Sequence, residues 1–158
     1  MTRRHSVACQ FAGRVVCAGL LAVLPPALLA KPSCTFSSGA PVNFGNYEIF
    51  ATLPNNFGVG SIRVDCKGGG GPFKVTLSTG QSHTFAMRKM QSGPNTLDYN
   101  LYTSAGRSVV WGDGSGTSGV MFATKNTSSN FYIFGQIPAL QDAAAGTYSD
   151  NITATVNF

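Results

Sequence analysis

The residues able to do chemistry in this 158-residue chain are few and widely spaced. Cys34 and Cys66 stand apart from an earlier pair, Cys9 and Cys17, and His83 is the only histidine after His5. A structural zinc site needs four ligands, and only His83 could join Cys34 and Cys66. The six acids are Glu48, Asp65, Asp98, Asp113, Asp142 and Asp150, and none forms a recognisable sequence pair. Glycoside hydrolysis needs two carboxylates facing each other across a cleft, and nothing in this spacing marks them. The loop Gly112-Asp113-Gly114-Ser115-Gly116-Thr117 has the composition of an ion or phosphate loop. A phosphate loop needs a helix N-terminus behind it and usually a lysine. A calcium loop starting at Asp113 needs glutamate at its twelfth position, where Thr124 stands. We read it as a hairpin loop, and Gly68 to Gly71 as a turn. Asn126-Thr127-Ser128 and Asn151-Ile152-Thr153 fit the glycosylation sequon, but the second falls inside a predicted strand. The expectation is a protein that is not an enzyme, with no cofactor and no metal.

The elements that must position these residues begin after an N-terminal leader. Met1 to Arg14 carries Arg3, Arg4 and Arg14 and no acid, and Val15 to Leu24 is apolar. Pro25 and Pro26 follow, then a small residue at Ala30. Basic segment, short apolar segment and small residue make a secretory signal peptide over residues 1–30, too short to span a bilayer. Its removal takes three of the 11 basic residues, leaving 8 against 6 acids. So weak a positive balance gives no electrostatic footprint for nucleic acid. Cys9 and Cys17 leave with the leader. In an exported domain the remaining Cys34 and Cys66 point to one disulfide. Closing a loop of about 32 residues stabilises a domain by about 3–4 kcal/mol on the chain-entropy model.

Residues 31–158 make one domain of all-β composition: abundant glycine, low charge, and no apolar residues at helical spacing. Short apolar runs recur between turn signals, as in a sandwich. The predicted strands are Val42 to Tyr47, Gly60 to Cys66, Phe73 to Ser78, His83 to Met90, Leu97 to Thr103, Ser108 to Trp111, Val120 to Thr124 and Asn130 to Gly135. Ile137 to Gly146 reads as a loop with a single turn of helix. The last strand, Thr147 to Phe158, has the clearest pattern. Tyr148, Ile152, Ala154, Val156 and Phe158 share one face, with Thr153, Thr155 and Asn157 on the other, the signature of a strand buried on one side. A chain whose sequence ends on a buried strand leaves the next position in the fold open.

Several segments occur in order along the chain: Val42-Asn43-Phe44-Gly45-Asn46-Tyr47, Ile62-Arg63-Val64-Asp65-Cys66, Met87-Arg88-Lys89-Met90, Leu97-Asp98-Tyr99-Asn100-Leu101-Tyr102 and Trp111-Gly112-Asp113-Gly114. The ending adds Phe134-Gly135-Gln136-Ile137-Pro138-Ala139, Gln141, then Gly146-Thr147-Tyr148-Ser149-Asp150. Together, and the ending most closely, they resemble the spore coat protein U domain family, whose members include subunits of archaic chaperone–usher pili. The resemblance implies an incomplete immunoglobulin-like β-sandwich lacking its final strand, completed by a donor or chaperone strand through edge pairing. It implies a Cys34–Cys66 disulfide between the first two strands. It implies a strand-pairing groove lined by Tyr148, Ile152, Ala154, Val156 and Phe158. The implied partners are a periplasmic chaperone, an outer-membrane usher and neighbouring pilus subunits, in a fibre exported through the periplasm to the cell surface. The family's donor segment precedes its first cysteine, and cleavage after Ala30 leaves only Lys31, Pro32 and Ser33 there. Three residues span about 10 Å at about 3.4 Å each, too short for a donor strand. Earlier cleavage would leave Pro25-Pro26 interrupting the strand. The expectation is a minor or tip-located subunit that accepts a strand without donating one. The alternative is a stand-alone secreted binding module or a spore coat protein, with Trp111, Tyr99 and Tyr102 as stacking platforms rather than core.

Overall fold

The computed structural model describes residues 31–68, 71–124 and 127–158, so the expected signal peptide over 1–30 lies outside the described residues. Among the described residues eight strands form two sheets: β1 (Ser33–Asn43), β2 (Val59–Lys67), β3 (Pro72–Leu77), β4 (Arg88–Ser92), β5 (Asn95–Tyr102), β6 (Met121–Thr124), β7 (Ser128–Gln136) and β8 (Ala154–Asn157). The larger sheet runs β1-β2-β7-β5-β4 and the smaller β6-β3-β8. All ladders are antiparallel. The only helical element among the described residues is a 3-10 turn at Gly80–Ser82.

This is the immunoglobulin arrangement. In such a sandwich strands A, B, E and D form one sheet and C, F and G the other. β1, β2, β7 and β5 take the places of A, B, E and D, while β3 and β8 take those of C and F. The position beyond β8, where G belongs, holds no strand among the described residues.

Alternation explains where the strands pack. Val64 and Cys66 of β2, Phe73, Val75 and Leu77 of β3, and Phe131 and Ile133 of β7 all turn inward and are buried. Trp111 lies at the centre, fully buried, its indole N–H donating to the Val75 carbonyl at 2.9 Å. Its ring meets Phe131, which meets Phe73 edge-on. Tyr99 is likewise buried, so Trp111 and Tyr99 pack the core and are not stacking platforms, while Tyr102 is half-buried and lies outside that cluster.

Several expected boundaries move. β1 begins at Ser33, well before the expected strand at Val42, and the chain leaves the sheet after Asn43. β1 was illegible because its side chains are small and mostly exposed, so no alternation marks it; pairing to β2 and the Cys34–Cys66 bridge hold it. Gly45, at φ +67°, turns the chain away, its N–H bound to the Asn43 side chain. His83 to Met90 gives only β4, starting at Arg88. Val110 and Trp111 make single bridges instead of a strand, and residues 137–146 contain no helical turn. The last strand shrinks to the four residues of β8. β3 ends at Leu77, so Thr147 to Thr153 form no continuous ladder: Ser149 makes a single antiparallel bridge to Gln91 of β4, and the Thr153 carbonyl accepts from the Ser78 N–H. A strand needs a partner to satisfy its backbone.

Candidate functional site

The site lies along the outer edge of β8. Its register with β3 pairs Lys74 with Asn157, Val75 with Val156, Thr76 with Thr155 and Leu77 with Ala154. The Ser78 N–H donates to the Thr153 carbonyl at 2.9 Å. Antiparallel partners alternate between bonded and non-bonded pairs, so 153, 155 and 157 bond towards β3. Ala154 and Val156 then turn their N–H and C=O outward along the open edge. Opposite-lying residues share a face, so their side chains lie with buried Val75 and Leu77 inside the sandwich.

Between this edge and β1 the sandwich stands open as a cavity of about 1110 Å³. Its floor is apolar and drawn from both sheets: Ile62, Leu77, Leu97, Tyr99, Leu101 and Ile133. One wall is the stretch from Pro41 to Ile49, and the other runs from Ala143 through Ile152 to Ala154. Native interiors are close-packed with few voids larger than a water molecule. A gap of this size, lined by core residues, is the shape of a missing element.

Polar bonds fix its walls. The Tyr47 hydroxyl donates to the Pro138 carbonyl at 2.9 Å and accepts from the Gln141 N–H at 2.8 Å. The Gln141 side chain clasps the Asp98 backbone through both N–H and C=O. Phe44 lies against bare backbone: a Cβ at Gly58 or Gly135 would fall 2.4 or 2.5 Å from its ring. On the other wall, Tyr148 donates to the Ala144 carbonyl four residues back, in the manner of the tyrosine corner of immunoglobulin domains. The Tyr99 hydroxyl donates to Asp150 at 2.7 Å, and burial together with that carboxylate pushes its pKa far above the ordinary phenol range. Behind the floor, buried Arg88 donates to the carbonyls of Ser78 and Trp111 and to the Asn100 side chain. Burial lowers its pKa, but a guanidinium stays charged at any physiological pH.

The expected groove residues divide. Tyr148, Ile152 and Ala154 line the cavity. Val156 lies nearer the disulfide and packs against the core. Phe158 follows the strand, outside the cavity lining and 55 % exposed. Cys34 and Cys66 face each other across β1 and β2 and are bonded. The wall from Pro41 to Ile49 is the part residue patterns missed. Phe44 and Tyr47 belong to the stretch expected as a strand from Val42 to Tyr47, which instead leaves the sheet after Asn43 to wall the gap. His83 sits exposed in left-handed backbone after the 3-10 turn. Asp113 closes its loop by accepting the Ser115 N–H, and hydrogen bonds from the Ser115 side chain and then its backbone hold the carboxyl below the usual range. Among the described residues no helix is long and apolar enough to cross a membrane.

Comparison with known proteins agrees with this geometry. Protein U of Myxococcus xanthus is 30% identical over 148 residues, covering 80% of this chain and 78% of the relative. Among solved structures, a chain of the CsuC–CsuE chaperone–tip adhesion subunit pre-assembly complex, from the archaic chaperone–usher Csu pili of Acinetobacter baumannii, superposes with a TM-score of 0.57. It is 24% identical and the match covers 81% of this chain but 40% of that one, a likeness of fold. The family profile of the Spore Coat Protein U domain matches residues 20–155. Sequence profile, curated relative and sandwich topology together place this chain in the Spore Coat Protein U domain family.

Proposed function

We propose that this protein is a structural subunit of a chaperone–usher surface fibre, assembled when a strand from another chain is laid beside β8. The carrying observation is the apolar gap of about 1110 Å³ running along an edge whose Ala154 and Val156 backbone groups point outward. Strand addition supplies both missing parts: main-chain bonds for the edge and alternate side chains for the gap. The neighbouring fold comes from a complex of a pilus subunit with its chaperone, which supports the same use here. The partners are then a periplasmic chaperone, an outer-membrane usher and neighbouring subunits, and the chain travels through the periplasm to the cell surface. Dispersed acids and an exposed His83 favour this over any enzymatic role.

The finer reading is a minor or tip-located subunit that accepts without donating. It is supported by the short lead left before Cys34 on cleavage after Ala30. N-terminal sequencing of the exported protein checks it; ten or more residues before Cys34 would sink it. The acceptor role itself is tested by expression. Alone, an open apolar edge should aggregate or be degraded. With its chaperone the chain should be recovered as a one-to-one complex. A stable, soluble monomer without any partner would instead support a stand-alone binding module.

A further inference from the structure

The gap changes depth along its length. β2 turns into β3 near the disulfide, so Val156 and Asn157 lie towards that end and Ala154 towards the other. At the disulfide end Val64, Cys66 and Phe73 already fill the interior, each exposed by 3 % or less. Phe36 stands opposite Val64 on the same face but is 49 % exposed, covering from one side only. At the far end the interior is hollow. Small residues, Ala143 to Gly146 and Ala154, wall the space above Leu97, Tyr99 and Leu101.

We propose that the strand accepted beside β8 is graded in size. Large apolar side chains enter at the end beside Tyr148, Ile152 and Ala154, and small ones lie beside Val156 and Phe36. This rests on the acceptor reading and specifies its partner. Inward-facing residues of an added strand fall at every second position, so each meets a different depth of gap. Those side chains must also carry no negative charge. The phenols of Tyr47, Tyr99 and Tyr148 in the lining already donate to Pro138, Asp150 and Ala144. The charged groups of the lining are the carboxylates of Glu48 and Asp150, with no lysine, arginine or histidine among them, so a buried anion would find no partner there.

Synthetic strands provide the test. The full chain is refolded with peptides whose inward positions carry leucine in one half and alanine in the other, in both orders, with threonine outward. Thermal midpoint and native mass spectrometry report binding. One order should bind about tenfold tighter or more than its reverse, the scale of pocket discrimination by small apolar changes. Narrowing the deep end with Ala154→Leu, or separately Ala143→Leu, should weaken the preferred strand by about tenfold. Cutting one of its leucines to alanine should restore binding, an outcome a merely damaged fold would not give. Equal binding of both orders, or a loss that no trimmed strand rescues, overturns the grading. If no strand binds in either order, the acceptor reading itself fails.

Discussion

β1 and β8 flank the same gap and are built in opposite ways. β1 is eleven residues long, mostly exposed, and interrupted by two register shifts against β2, one of them at Pro41. It has little burial of its own, and the Cys34–Cys66 bridge ties its first residues to β2. β8 is four residues long, uncharged, without proline or bulge, and its inward side chains are half-buried. Bulges and proline are devices that keep an edge from recruiting stray strands. β1 has them and β8 does not. One flank of the gap is therefore a covalently fixed rim, while the other is left able to pair.

The contrast breaks most completely if β8 and the residues leading into it lose their apolar face. Ile152→Asp combined with Val156→Asp places two charges where the gap offers no counter-charge, at several kcal/mol each. Co-purification with the chaperone should be lost while the Cys34–Cys66 bond still forms. Undiminished capture would show that the pairing edge lies elsewhere.

The rim is broken next. Cys34→Ser with Cys66→Ser should cost about 3–4 kcal/mol in denaturant unfolding, by the loop-entropy argument. Amide exchange should rise first in β1, whose burial cannot replace the bond, and last in β2 and β7.

A smaller effect probes the lead into β8 through Tyr99. Its folded pKa is raised, so the folded state holds the phenolic proton after the unfolded chain has lost it. The Tyr99 contribution is complete below the ordinary phenol pKa of about 10 and declines above it, by up to about 1.4 kcal/mol per pH unit. Denaturation above about pH 10 should show that decline, and Tyr99→Phe should lessen it, leaving the smaller part that comes from Tyr102, whose pKa burial also raises. Smallest is Tyr148→Phe, which removes the bond to Ala144 and should cost about 0.5 kcal/mol at so exposed a site. A loss as large as that of the disulfide would mean that β8 is held as firmly as the rim.

What the residues alone revealed follows burial. β2, β3, β5 and β7 stand close to where alternation put them, because each has a fully buried inward face. β1 escaped because pairing and a disulfide hold it without burial. The stretch from Thr147 to Thr153 misled for the converse reason: it has strand chemistry, but its backbone pairing stops at the bridge between Ser149 and Gln91 of β4 and the bond from Ser78 to Thr153. The stretch Val42 to Tyr47 reads as a strand by residue type, yet the cavity wall around Phe44 and Tyr47 leaves the sheet after Asn43, its positions set by glycine backbones and by Gln141 from a distant loop.

By itself the sequence determined the all-β class, its cysteine pair, the face of the last strand and the family it resembles. Those are local properties, written in side-chain type and period-two spacing. Only the tertiary structure decided which strands neighbour one another, that the place beside β8 is empty, and that the gap deepens away from the disulfide. Such facts depend on pairings between residues far apart in the chain and on volumes enclosed by both sheets at once, which no single stretch of sequence records.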